Sequence, residues 1–223
     1  MRRLLRLALI AILAYPALVL VLGALYIAVP PVSTLMVGRW LTLRGAERTY
    51  VPLSAMAPIL PAAAIASEDA RFCRHRGVDW GAISDVLDEE GGPSRGASTI
   101  PMQVAKNLFL WPGRSYIRKA MEIPIALYLD TIWSKRRMME VYLNVAEWGE
   151  GTFGAEAAAR RHFNKGAADL SRREAALLVA VLPNPIRRNA ARPTRLVSGK
   201  AARILARVPN TPTRCLAPQG GTR

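Results

Sequence analysis

Residues 7–29 form an uninterrupted apolar stretch of 23 positions without a charge. A helix of that length covers roughly 34 Å, enough for a hydrocarbon core of about 30 Å. Arg2, Arg3 and Arg6 precede it, and the next charged residue is Arg39. That asymmetry predicts a cytoplasmic tip at residues 1–6, a transmembrane anchor at 7–29, and everything after Pro30 outside. A cleaved signal peptide would need a shorter apolar run and a small-x-small site, and none precedes Pro30-Pro31. Residues 30–60 lack sustained periodicity and carry Pro30, Pro31, Pro52 and Pro58, so they read as a stalk or packing segment.

Beyond residue 61 the apolar spacing is mostly that of helices. Ile117, Met121, Ile125, Leu129 and Ile132 predict a helix over 116–133, and 138–145 a separate one. Residues 149–154 read as a turn, and 155–163 as an Ala-rich helix. Ser171 and Glu174 form a capping box ahead of 175–182, which stops at Pro183. Residues 89–96 are a loop by composition. Strand patterns are few. The expectation is an all-α domain over 61–207, with a frayed tail over 208–223.

Charge narrows the function classes. The chain has 31 basic and 16 acidic residues, and 26 of the cations are Arg. All 16 acids and 28 of the cations lie beyond the predicted anchor. Such an excess implies a polyanionic partner. Outside a membrane that partner is an anionic lipid surface or a lipid-linked phosphate, and nucleic acid is excluded on topology. Two cysteines, Cys73 and Cys215, exclude a disulfide-dense scaffold and a four-Cys zinc site; whether they pair is left open. His75 and His162 alone do not make a metal centre.

Four clusters carry candidate chemistry. In the first, Glu68 and Asp69 follow a small apolar lead and precede His75, Gly77 and Asp79. A carboxylate in an apolar cleft suits a general base, although acids at a helix start are also ordinary. In the second, Thr99, Gln103 and Lys106 lie near one helical face beside Asn107, which suits phosphate or sugar oxygens or a plain helix cap. In the third, Arg114, Arg118 and Glu122 share a stripe with Lys119 alongside. That pattern is either a pyrophosphate clamp beside a carboxylate or a surface ion-pair series. In the fourth, Tyr142 and Asn144 offer neutral donors or pack a turn.

The order and spacing of these clusters are more specific than any one of them. SEDARFCRHRGVDW, GASTIPMQVAKNLFL, RSYIRKAMEIPIALYLD and SKRRMMEVYLNVAEWGEGTFGAEAAARRHF together resemble the peptidoglycan glycosyltransferase family, family 51 of the glycosyltransferases. The resemblance runs over about residues 30–193. A single anchor with no following transpeptidase domain resembles the monofunctional members.

The resemblance implies a lysozyme-like fold with a small membrane-facing jaw lobe. It implies polymerisation of lipid II into β-1,4 glycan with release of undecaprenyl pyrophosphate, at the outer face of a bacterial inner membrane. On it, Glu68 matches the base on the acceptor hydroxyl, and Glu122 the second catalytic glutamate. Asp69, Thr99, Gln103, Lys106, Asn107, Arg114, Arg118 and Lys119 match substrate-binding positions. The implied partners are lipid II, the growing lipid-linked glycan, the membrane and other cell-wall synthesis proteins. No protein ligand set for a metal is present in the motifs, while a divalent cation assists some family members. A lysozyme-like glycan-cleaving enzyme and a non-enzymatic cationic scaffold are the alternatives; the first needs no phosphate stripe, and the second would tolerate loss of Glu68.

Two positions depart from the family pattern. Pro101 and Met102 stand where Thr or Ser and then Gln are usual, and Pro124 follows Glu122 by two. Pro101 is harmless if it lies in the first helical turn. Met102 is expected to cost one polar contact, so Met102→Gln should bring a modest gain at most. The run Leu108, Phe109, Leu110 and Trp111, beside Arg114 and Arg118, is expected to dip into the membrane.

Overall fold

A computed structural model describes residues 2–88, 97–113 and 115–218, without the side chains of residues 2, 4–12 and 87. The expected loop at 89–96 and the candidate Arg114 lie outside the described residues.

The first half of the chain runs through α1 (Arg2–Leu25), α2 (Thr34–Leu41), β1 (Glu47–Arg48), α3 (Ile59–Glu68), α4 (Trp80–Leu87) and α5 (Ile100–Phe109). The second half runs through α6 (Tyr116–Ile132), α7 (Lys135–Val145), β2 (Glu147–Gly149), β3 (Thr152–Phe153), α8 (Ala155–Phe163), α9 (Arg172–Val181) and α10 (Arg195–Arg207). The domain is mostly helical. Among the described residues it departs from all-α in one small sheet, with β3 central, parallel to β1 and antiparallel to β2. Strands of two or three residues are too short to show alternation in sequence.

The core forms around α3 and α9. Leu60–Ala66 of α3 and Ala175–Val181 of α9 are buried on every side. A helix apolar all round is an interior helix, and the alanines let α3 and α9 pack directly together, with α10 across both. The Ser171–Glu174 capping box is present and starts α9. On the other side α5 packs on α6 and α7. Leu108, Phe109 and Leu110, at the end of α5, are buried, and the Phe109 ring lies 6.3 Å from that of Tyr26. They are core, not the membrane-inserting surface expected of them. The exposed apolar side chains nearby are Trp111, Tyr116 (97% exposed) and Ile117 (71%).

Residues 30–60 pack against the domain instead of standing away from it. Met36 of α2 is buried, and the Thr34 hydroxyl donates to the Leu110 carbonyl at 2.6 Å. Asn144 clamps Val51 by its backbone N–H and C=O, at 3.0 and 2.9 Å, so Asn144 is structural. The second half of α1 docks on α6. The Tyr128 hydroxyl donates to the Leu20 carbonyl at 2.6 Å, and the Trp133 indole N–H to that of Gly23 at 2.8 Å. Among the described residues no helix is long and apolar enough to cross a membrane; the side chains of 4–12, in the first half of the predicted span, lie outside the description.

The tail expected to fray is pinned over residues 208–218. Cys215 forms a disulfide with Cys73, Leu216 is buried, and Arg136 donates to the Leu216 carbonyl at 3.1 Å. Pairing across 142 positions is a tertiary fact with no local trace. Gly77 fixes the turn that follows the disulfide. Its φ is +77°, and an added Cβ would lie 2.7 Å from the Ala126 carbonyl oxygen, so only glycine lets this turn rest on α6.

Candidate active site

The small side chains that bury α3 carry its C-terminus into an open cleft of about 600 Å³. Glu68 is the last residue of α3 and lines this cleft. Its Oε1 accepts from the Ser67 hydroxyl at 2.8 Å and faces Lys200 Nζ at 3.4 Å. Asp69 caps the helix and turns inward, buried. His75 Nε2 lies 2.9 Å from both of its carboxylate oxygens, and the Ile100 N–H donates to Oδ2 at 2.9 Å. Asp69 therefore ties the end of α3 to the start of α5 and fixes the direction in which Glu68 points.

The start of α5 is built as its sequence requires. Thr99 is the N-cap; its hydroxyl accepts from the Met102 N–H and donates to the Gly77 carbonyl at 2.6 Å. Pro101 lies in the first turn, where its missing N–H has no intrahelical partner to lose. The Thr99 side chain is thus committed to the fold. Gln103, one turn on, lines the cleft, and its Oε1 lies 3.5 Å from the Tyr142 hydroxyl. Tyr142 is fully buried, and burial, with Glu68 and Asp69 nearby, holds its phenol well above the ordinary range and therefore neutral.

Met102 is 1% exposed within the core, which reverses the expectation for Met102→Gln. Glutamine there would bury an amide without a partner, at about 1–3 kcal/mol. The expected result is a melting temperature lower by about 2–4 °C per kcal/mol lost, with activity per folded molecule changed less than about twofold; thermal melts and specific activity of the variant check it.

Further along α5, Lys106 and Asn107 line a second cavity of about 400 Å³, together with Arg118 of α6. Glu122 is 3% exposed. Arg118 pairs with its Oε1, and Lys119 Nζ lies 2.8 Å from its Oε2. Lys119 also donates to the Ser98 hydroxyl, and Ser98 lines the first cleft. The two cavities are joined by this chain of contacts. Burial lowers the Lys106 pKa below the usual 10.5; Arg118 and Lys119 add to the fall, and Glu122 and Glu68 oppose it. Lys106, Arg118, Lys119 and Glu122 are therefore one electrostatic unit, not a set of surface ion pairs.

Of the sequence-predicted residues, Glu68, Asp69, Thr99 and Gln103 gather at the first cleft, Lys106, Asn107 and Arg118 at the second, with Lys119 and Glu122 between. Lys200 escaped sequence reasoning. It sits on α10, 132 positions from Glu68, and one lysine on an amphipathic helix gives no signal of its neighbour. Among the described residues no group of three or more His, Cys, Asp or Glu converges as a metal site.

Comparison with known proteins shows the family. A family model described as Transglycosylase matches residues 36–209. The chain is similar to the biosynthetic peptidoglycan transglycosylase of Rhodopseudomonas palustris strain HaA2, 53% identical over 211 residues, or 93% of each chain. It is similar to the proteins of the same name from Rhizobium meliloti strain 1021, 57% identical over 178 residues (78% of this chain, 75% of that one), and Brucella suis biovar 1, 54% over 180 residues (80% of each).

Proposed function

The chain belongs to the transglycosylase family, and on that premise we propose that it is a peptidoglycan glycosyltransferase that polymerises lipid II into glycan strands. The observation that carries the reading is the juxtaposition of a cleft carboxylate, Glu68, with the cationic unit of Lys106, Arg118 and Lys119 around Glu122.

In this reading the acceptor's 4-hydroxyl oxygen attacks C1 of the growing strand and its proton passes to Glu68. The bond from C1 to the phosphate oxygen breaks, its electron pair leaves with the lipid pyrophosphate, and attack from the opposite face gives a β-1,4 link. Charge grows on the leaving phosphate, where Lys106 and Arg118 stabilise it without reorganising. Glu122 holds Arg118 and Lys119 in place. Asp69 and Thr99 act as positioning residues; Gln103 and Asn107 contact sugar or phosphate oxygens.

Location follows from the same reading. Residues 7–29 anchor the chain in the inner membrane, 1–6 remain cytoplasmic, and the domain lies outside. The uncharged run and the arginines before it support this. The Cys73–Cys215 disulfide is consistent with an oxidising compartment. Trp111, Tyr116 and Ile117 supply apolar contact with the bilayer as the jaw.

The test is incubation of the membrane-reconstituted protein with labelled lipid II. A polymer that lysozyme digests is expected; soluble fragments released from preformed peptidoglycan, without polymer, would favour a hydrolase. The lowered pKa of Lys106 adds a pH signature. Lys106 holds phosphate only while protonated, so KM for lipid II should rise with alkaline pH before an ordinary lysine would lose its proton. Lys106→Arg, charged throughout, should abolish that rise; KM profiles of the two proteins between about pH 7 and 10 decide it.

A further inference from the structure

The Cys73–Cys215 disulfide lies outside the catalytic machinery, yet it joins the two walls of the first cleft. Glu68, Asp69 and Arg71, at the end of α3 and just after it, line one wall; Lys200 and Arg207 of α10 line the other. Lys200 reaches across to Glu68 at 3.4 Å, a long contact for an ion pair. Each cysteine is a short, hydrogen-bonded step from a wall. Between Asp69 and Cys73 the Phe72 N–H donates to the Asp69 carbonyl at 2.9 Å, and Phe72 is buried. Between Arg207 and Cys215 one tight helical turn, Val208–Asn210, continues α10, and the Thr211 hydroxyl donates to the Arg207 carbonyl at 3.0 Å. Val197, Ala201 and Ile204 bury one face of α10, but residues 206 and 207 at its end are exposed. The end that carries Arg207 therefore has little core of its own, and the disulfide ties it to the opposite wall.

We propose that this disulfide is a clasp that fixes the spacing of the cleft walls and with it the affinity for the acceptor, so that Cys73 and Cys215 are positioning residues of the acceptor site. The inference rests on the reading of this cleft as the place where the acceptor hydroxyl meets Glu68. Hydrogen bonds hold over a narrow range of distance, so an acceptor gripped by both walls loses contacts when one wall is released. The proton-accepting geometry is set within a single wall, where Ser67 holds Glu68, and His75 and the Ile100 N–H hold Asp69. The chemical step therefore survives the release. The cations assigned to the donor, Lys106 and Arg118, lie on α5 and α6, outside the clasped pair. A cross-link that served stability alone would behave differently. It would act by closing a long loop in the unfolded chain, an effect indifferent to a slightly longer bridge.

The chain has two cysteines and both are half-buried, so the bridge can be changed chemically in the full-length protein. Dithiothreitol converts the disulfide to two thiols and itself closes to a cyclic disulfide. A dihalide then joins the sulfurs through two new S–C bonds and releases two halide ions. A methylene bridge keeps nearly the native span; a p-xylylene bridge is longer but closes the same loop. The assay uses bilayer vesicles, with a short lipid-linked strand as donor and lipid II as acceptor. With the longer bridge, KM for the acceptor should rise about three- to tenfold, the range of one hydrogen bond, while kcat and the donor KM stay within about twofold. The methylene bridge should restore the native value. An acceptor KM indifferent to the longer bridge would overturn the clasp, as would an equal rise in both KM values. If the bridged proteins do not fold, Cys73→Ser/Cys215→Ser makes the same comparison, with the same raised KM expected and no response to dithiothreitol. Polymerisation by the wild type, measured separately, keeps the two readings apart. If no polymer forms, the polymerase reading fails and amide exchange tests the clasp alone. The longer bridge should then speed exchange over residues 70–76 and 203–210 by about fivefold or more and leave α5 and α6 unchanged; unchanged or uniform exchange would contradict it.

Discussion

Replacing Glu68 by glutamine is expected to lower the polymerisation rate by about 10²–10⁴-fold, the range ordinarily contributed by a positioned general base. Gln keeps the length and one acceptor oxygen, so the contact with Ser67 survives, and α3 ends as before. What is lost is the capacity to take the acceptor's proton. Glu68 lines an open cleft and is not in the core, and its contact with Lys200 is a long one at 3.4 Å, so the folded state should change little, and a melting temperature within about 2 °C of wild type separates chemistry from folding. Binding of the donor, which the proposed function assigns to Lys106 of α5 and Arg118 of α6, should persist. A near-normal rate for Glu68→Gln would remove Glu68 from the role of base.

The second large effect is expected at Glu122, and there stability and activity should fall together. Glu122 is buried between Arg118, itself nearly buried, and Lys119. Breaking a buried pair from one side leaves a charge without its counterion, at about 3–5 kcal/mol. At about 2–4 °C per kcal/mol, Glu122→Gln should therefore lower the melting temperature by several degrees or more. The rate should drop at least 10²-fold at temperatures where the variant is still folded, because Arg118 and Lys119 are no longer held where the phosphate charge develops. The contrast with Glu68→Gln is diagnostic: one carboxylate does chemistry at no cost to the fold, whereas the other also supports the fold. Loss of activity without loss of stability at Glu122 would place it at the cleft surface and refute the buried pair.

The helices that periodicity predicts are those whose signals are local. The α6 span is Tyr116–Ile132 against an expected 116–133, and α9 begins at the Ser171–Glu174 box. Pro101 falls in the first turn, as its tolerance requires. The features that escaped are long-range. Lys200 meets Glu68 from a helix at the far end of the chain, Cys215 reaches Cys73, and residues 152–153 complete a sheet begun at 47–48. Nothing near any of these positions encodes its partner. Leu108, Phe109 and Leu110 were ambiguous for another reason. An apolar run beside cations suits a membrane surface and a buried helix end alike, and only tertiary packing, here with Tyr15, Tyr26 and Thr34 from the start of the chain, separates them. The candidate site was legible because its residues come in short motifs; which of them face the cleft was not. Thr99 and Asp69 spend their polar atoms on Gly77, His75 and Ile100, and Asn144 on Val51.

The most direct measurement follows lipid II labelled separately in its sugar and in its pyrophosphate, supplied to the full chain in bilayer vesicles. Glycosyl transfer from a pyrophosphate-linked strand to an acceptor hydroxyl predicts one lipid pyrophosphate released for each disaccharide added, with all sugar label in lysozyme-sensitive polymer. Glu68→Gln and Glu122→Gln should stop both signals together. Pyrophosphate release without polymer, sugar label accumulating as free disaccharide, or undiminished polymer from Glu68→Gln would contradict it.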